Sequence, residues 1–185
     1  MGIMTVDKQP MVMVGEKFPE TGSLNCVKPD LQIDVVNISE VEGWKVIYFY
    51  PKDFTFVCPT EIVDFDNLMS DFCGLNATVF GISPDNEYCK LAWRNDHKLL
   101  KKINHSLVAD SGNVLANKLG IVSKENVPYR VTYILDETNT IQYVGVHGLS
   151  VGRSAAEVLR VLDACQKGEE GMLCPASRPV GGKTL

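Results

Sequence analysis

The 185-residue sequence predicts an α/β fold, a mixed central β-sheet flanked by helices. Two patterns carry that prediction. Short β-branched and aromatic runs alternate with segments whose apolar residues recur at helical spacing. Two of the later runs are separated by only a few polar residues, so they form a hairpin, and a closing amphipathic helix follows.

The run "KVIYFY" (45–50) reads as a buried strand and "ATVFGIS" (77–83) as a second. Between them, "PTEIVDFDNLMSDF" carries Ile62, Phe65, Leu68, Met69 and Phe72 at helical spacing. After the second strand, "NEYCKLAWRNDHKLL" carries Tyr88, Leu91, Ala92 and Leu99 in the same way, with Tyr88 and Trp93 read as core aromatics. "RVTYILD" (130–136) and "IQYVGVHG" (141–148) flank the turn-prone "ETNT" and form the hairpin. "SAAEVLRVLDACQKG" (154–168) places Ala155, Val158, Leu159, Leu162 and Cys165 on one face and is expected to stop at Gly168. That order fits a thioredoxin-like core over residues 14–168, preceded by an N-terminal extension, 1–13. The Gly- and Pro-rich segment 169–185 reads as a mobile tail, and it carries Cys174.

A net charge of −5 and a pI near 5.2 exclude a general nucleic-acid binder, which needs surplus Lys and Arg for phosphate contacts. The densest basic group, Lys98, Lys101 and Lys102, reads as a solvated helix face. No apolar run reaches the roughly 18 residues of a membrane span. The unbroken apolar patch 11–14 is too short for a signal-peptide core, and Val6 breaks the myristoylation pattern after Gly2. A cytoplasmic protein without membrane or nucleic-acid partners is expected. Six cysteines (26, 58, 73, 89, 165 and 174) are therefore expected as reduced thiols. With no C-x-x-C pair and with His97, His105 and His147 scattered, no metal site is expected. Cys73 and Cys89 read as core or half-buried packing, Cys26 as a loop residue open to exposure, and Cys165 as helix packing rather than redox chemistry.

The stretch "FYPKDFTFVCPTEI" (49–62) sets Cys58 apart. Its strand ends at Pro51 and a helix pattern begins near residues 56–59, so Cys58 falls on the first helical turn. Unpaired N–H groups and the helix dipole there favour a thiolate, and Pro59 suits a position that needs no N–H donor. Thr55 can point its hydroxyl at the same site or serve as an ordinary helix cap. Glu61, one turn on, would oppose a thiolate unless a cation pairs with it, and Arg130 at the start of the third strand is the candidate cation.

"PKDFTFVCPTE" resembles the P-x-x-x-T-x-x-C signature of peroxiredoxins, in the C-P-T-E form of the typical two-cysteine, alkyl hydroperoxide reductase C class. The resemblance extends through "YRVTYILD", "VGRSAAEVLRVLDA" and the Cys-Pro at 174–175, over roughly residues 14–180. It implies a thiol peroxidase acting on hydrogen peroxide and organic hydroperoxides without metal, haem or flavin. Cys58 would be the peroxidatic cysteine and Cys174 the resolving one, joined as an intersubunit Cys58–Cys174 disulfide. Pro51 would shield the thiolate, Thr55 and Arg130 hold the peroxide, and Glu61 and Arg153 orient Arg130. The same resemblance implies a homodimer paired edge to edge through "IQYVGV", rings of such dimers up to a decamer, and a thioredoxin-like or dedicated disulfide reductase as partner. After "CPA" the family usually continues with an aromatic, where this chain has Ser177, Arg178 and Pro179. The absence of a Gly-Gly-Leu-Gly insertion and of a Tyr-Phe ending implies resistance to sulfinic acid formation.

Three alternatives predict different chemistry. A thioredoxin-type reductase needs C-x-x-C, but Glu61 occupies the second position. A hydrolase would pair Cys58 with His147 or His105 as base. A chaperone or peroxide sensor would keep holdase activity in Cys58→Ser.

Overall fold

The computed structural model describes residues 9–185; residues 1–8, most of the expected N-terminal extension with Gly2 and Val6, lie outside the described residues. The described residues form one seven-stranded sheet in the order β2-β1-β5-β4-β3-β6-β7. Its strands are β1 (Leu24–Val27), β2 (Ile33–Val36), β3 (Trp44–Phe49), β4 (Ala77–Ser83), β5 (Ser106–Ala109), β6 (Arg130–Leu135) and β7 (Ile141–His147). β3, β4 and β5 run parallel, and the other pairings are antiparallel. This is the mixed sheet of a thioredoxin-like fold. β6 and β7 form the expected hairpin, while the β1–β2 hairpin and β5 are additions to the sequence reading.

β3 sits inside the sheet, and all six of its residues are buried. Alternation sends Val46 and Tyr48 to one face and Ile47 and Phe49 to the other. On the first face lie α1 (Cys58–Asn67), α2 (Met69–Gly74), α3 (Glu87–Asp96) and α5 (Ala155–Glu169); the short α4 (Val114–Lys118) lies on the second. The single expected helix after β3 is thus two, because Leu68, at φ −111° and ψ 13°, interrupts it while preserving the apolar spacing. Gly81 of β4 has no room for a side chain, since a Cβ there would lie 2.5 Å from the Tyr48 hydroxyl.

α3 turns a different face inward from the one expected. Its buried residues are Lys90, Trp93 and Arg94, whereas Tyr88 is 68% exposed and Leu99 lies beyond the helix end. Arg94 is fully buried because its guanidinium donates to the carbonyls of Val27, Lys28, Pro29, Leu100 and Ile103, tying the β1–β2 hairpin to the loop after α3. Cys26, expected in a loop, is buried on β1, and Cys73 is exposed rather than packed.

α5 runs one residue past Gly168, and the glycine that ends it is Gly171, at φ +82°. Its N–H reaches the Gly168 carbonyl and that of Met172 reaches Lys167, a paired closure that favours a glycine in the left-handed region. The segment expected as a mobile tail then folds back on α5. Arg178 pairs with Asp163 at 2.5 Å, both side chains buried, and the Gly181 N–H joins the same carboxylate at 3.0 Å.

Candidate active site

β3 delivers the chain to the site. Tyr50 continues the ladder, its N–H on the Ile82 carbonyl, and the buried Pro51 then turns the backbone away. Proline suits this point because it has no N–H left to pair. The following loop is anchored from below. Asp53 accepts from Ser83 Oγ at 2.8 Å and faces Lys90 Nζ at 3.4 Å, and its own N–H donates to Asp85 at 2.8 Å. Lys90 also bonds Ser83 Oγ and reaches the Tyr50 hydroxyl at 3.4 Å. Burial pushes the Asp53 carboxyl up and Lys90 down from their ordinary values. Phe54 adopts a left-handed backbone, φ +53°, uncommon for a bulky residue, with its ring 5.9 Å from that of Trp93.

Cys58 is the first residue of α1 and is fully buried. Val57 is the cap and offers no side-chain hydrogen bond; its carbonyl instead accepts from the N–H groups of Thr60 and Glu61 and from the Thr60 hydroxyl. Thr55 does not cap the helix, because its hydroxyl donates to the Lys52 carbonyl at 3.0 Å. Thr55 lines an open groove of about 550 Å³ together with Phe56, Pro59, Val63, His97 and Leu99.

The structure brings Arg130, Glu61 and Arg153 to Cys58. Arg130 Nη1 lies 3.2 Å from Cys58 Sγ and 2.6 Å from Glu61 Oε2, while its Nε donates to the Leu149 carbonyl at 2.9 Å. Arg153 holds the other oxygen of Glu61 through Nε at 2.9 Å and its backbone N–H at 3.1 Å. Its Nη1 and Nη2 bond the Val131 and Phe49 carbonyls, and the Thr132 hydroxyl accepts a further bond at 3.1 Å, so the fork is fixed by β3 and β6. Glu61, Arg130 and Arg153 are all buried. Two guanidinium groups face one carboxylate, leaving one positive charge directed at the sulfur.

Neither histidine weighed as a base is hydrogen-bonded to Cys58. His105 sits between Tyr48 Oη, at 2.7 Å, and Asp66, at 3.4 Å, and His147 Nδ1 is paired with the Gly152 carbonyl at 3.2 Å. Burial lowers the His105 pKa despite the adjoining carboxylate. Cys174 lies apart from Cys58, its Sγ 3.5 Å from the Ala164 carbonyl on α5, and both thiols are free. The Asp53–Lys90 anchor is the element sequence reasoning missed, since a helical lysine reads as solvent-exposed.

A buried cysteine on a first helical turn, hydrogen-bonded to an arginine beyond the end of a thioredoxin-like strand, defines a thiol-based oxidoreductase. The family model described as "AhpC/TSA family" matches residues 14–144. The alkyl hydroperoxide reductase C of Mycolicibacterium smegmatis is 40% identical over 95% of this chain and 94% of its own length. Peroxiredoxin-1 of Gekko japonicus is 38% identical over 93% and 89%. Among solved structures, the reduced two-cysteine peroxiredoxin of Plasmodium vivax superposes with a TM-score of 0.88 at 30% identity, covering 94% of this chain and 92% of that one. Mycobacterium tuberculosis AhpC gives 0.79 at 38% identity, over 85% and 99%. The chain belongs to the AhpC/TSA family of peroxiredoxins, which are peroxidase oxidoreductases.

Proposed function

We propose that this peroxiredoxin reduces hydrogen peroxide and organic hydroperoxides at Cys58, in antioxidant defence in the cytoplasm. The observation that carries the reading is the 3.2 Å approach of Arg130 Nη1 to Cys58 Sγ within the buried Glu61–Arg153 network. An anionic sulfur balances the extra positive charge of that network.

The Cys58 thiolate attacks one peroxide oxygen, the O–O bond breaks, and water or alcohol leaves with a proton, giving the Cys58 sulfenic acid. Ionisation supplies part of the rate. A free thiol that ionises near pH 8.5 is about 3% thiolate at pH 7, so full ionisation gains at most about thirtyfold, or about 2 kcal/mol. The remainder comes from aligning the peroxide and stabilising charge on the leaving oxygen, the role of Arg130 and Thr55. Pro51 shields the thiolate, and Glu61 with Arg153 orients Arg130. Because the Thr55 hydroxyl donates its proton to the Lys52 carbonyl, it can accept a hydrogen bond from the peroxide as it stands and must turn only to donate one.

Cys174 of the partner subunit then attacks the sulfenic sulfur, water leaves, and the intersubunit Cys58–Cys174 disulfide forms. A thioredoxin-like or dedicated reductase recycles it. Disulfide geometry requires Cα atoms within about 7 Å, so the buried Cys58 must emerge as the first turn of α1 unwinds. The lack of a side-chain cap on that turn favours the unwinding. β7, one of the sheet's two edge strands, is assigned the pairing between subunits of the dimer. The apolar patch beside the site, with Phe56 95% exposed next to Leu99, is the surface for dimers to meet in a ring or decamer.

Non-reducing gels of wild type, Cys58→Ser and Cys174→Ser after one equivalent of peroxide test the reading. A peroxide-dependent covalent dimer is expected in wild type and in neither variant; a dimer band in either variant contradicts the assigned pair.

A further inference from the structure

The docked tail places a second thiol beside Cys174. Cys174 Sγ contacts the carbonyl of Ala164, and the next residue on α5 is Cys165, whose own Sγ points to the Gln142 carbonyl at 3.8 Å. Both thiols are half-buried and free. The placement is held from the same stretch of helix. Asp163, one residue before Ala164, accepts from Arg178 and the Gly181 N–H; Arg178 Nε closes on the Gly182 carbonyl at 2.8 Å, and Arg160 Nη1 reaches the Arg178 carbonyl at 3.3 Å. The tail is therefore registered on α5 with Cys174 against the Ala164–Cys165 step.

We propose that Cys165 is a third redox-active cysteine, which takes Cys174 out of the intersubunit disulfide to form an intrachain Cys165–Cys174 disulfide. The inference rests on the resolution step proposed above. When the tail returns to its dock, the Cys165 thiol gives its proton to solvent and the thiolate attacks Cys174 Sγ. The Cys165–Cys174 bond forms, the Cys58–Cys174 bond breaks, and Cys58 leaves as a thiolate, ready for another peroxide. The number of disulfides is unchanged, so the step needs no further oxidant. The oxidising equivalents move from the active-site turn to a half-buried pair on α5, where a reductase would meet them.

The surroundings of Cys165 set the order of events. Burial, and after it Glu169 from α5, holds its thiol above the ordinary range even while Cys174 is tied up in the disulfide, opposed by Arg160, and Tyr143 of β7 packs nearby. Few Cys165 side chains are ionised near neutral pH, so the exchange follows formation of the intersubunit disulfide and speeds up about tenfold per pH unit.

The test treats the full wild-type chain and Cys165→Ser with one equivalent of hydrogen peroxide, alkylates samples at intervals, and reads non-reducing gels and linked peptides by mass spectrometry. The proposal expects a wild-type Cys58–Cys174 dimer that decays to monomer carrying a Cys165–Cys174 linkage, faster at pH 8.5 than at 7.5. Cys165→Ser should consume peroxide at the wild-type initial rate and remain a covalent dimer. Persistent dimers in both proteins, with no Cys165–Cys174 peptide in wild type, overturn the relay and leave resolution by Cys174 standing. If Cys165→Ser forms no dimer at all, the resolution step itself fails and the relay falls with it.

Discussion

Replacing Arg130 with alanine isolates the contact between the arginine and the sulfur. The change removes one donor 3.2 Å from Cys58 Sγ and 2.6 Å from Glu61 Oε2. Glu61 is not stranded, because Arg153 still holds its other oxygen at 2.9 Å. A hydrogen bond to a charged group contributes about 1.5–3 kcal/mol. At about 1.4 kcal/mol per tenfold in rate, its loss slows the first step by about 10- to 150-fold. The charge balance acts in the same direction, since the site would then hold one guanidinium against one carboxylate and a thiolate. Loss of the 2.9 Å bond from Nε to the Leu149 carbonyl costs stability of about 0.5–1.5 kcal/mol and is measured separately by urea unfolding. Stopped-flow peroxide reduction by the reduced protein reads the chemical step. Arg130→Lys, which keeps the charge but loses the fork, should fall between the variant and wild type. A first-step rate for Arg130→Ala within threefold of wild type would refute the role given to Arg130.

Glu61→Gln leaves two buried guanidinium groups without their carboxylate, and a loss of about 3–5 kcal/mol in urea unfolding is expected; a change below about 1 kcal/mol would show that the pairs contribute little. His105 has a pKa depressed by burial, so the folded state binds fewer protons than the unfolded chain just below pH 6.5, and its contribution to stability, present above that pH, is lost as pH falls. Stability should decline, by up to about 1.4 kcal/mol per unit, as pH falls below about 6.5, and His105→Gln, less stable at pH 7.5, should show a flatter profile; parallel profiles would contradict this. Arg178→Ala breaks the buried pair with Asp163, so native-state proteolysis of the tail should quicken at least tenfold, while equal cleavage rates would mean that the pair does not hold the dock.

Hydropathy patterns locate the elements that obey ordinary rules. β3 and β4 are mostly apolar, interrupted by Lys45 in the first and by Thr78 and Ser83 in the second, the β6–β7 hairpin is marked by its polar turn, and α5 has a single apolar face. β1, β2 and β5 are four residues each, too short for alternation to rise above its surroundings, and Cys26 is misplaced with them. α3 misleads because its inward residues include Lys90 and Arg94, cations that hydropathy assigns to solvent and that carbonyls, a hydroxyl and Asp53 satisfy inside. At the site, Cys58, Glu61, Arg130 and Arg153 converge from three separate stretches of the chain, whereas the Thr55 hydroxyl faces the Lys52 carbonyl, a local turn bond that no spacing reveals. The tail reads as mobile by composition because the residue that docks it, Asp163, lies in another element.

The proposed chemistry turns on which sulfur meets the peroxide. Cys174→Ser protein, given one equivalent of hydrogen peroxide in the presence of a sulfenic-acid trap such as dimedone, answers that by peptide mass spectrometry. Near-complete labelling of Cys58 is predicted, with none on Cys26, Cys73, Cys89 or Cys165. An unlabelled Cys58, or a trapped sulfenic acid on another cysteine, would contradict the assignment of Cys58 as the peroxidatic residue.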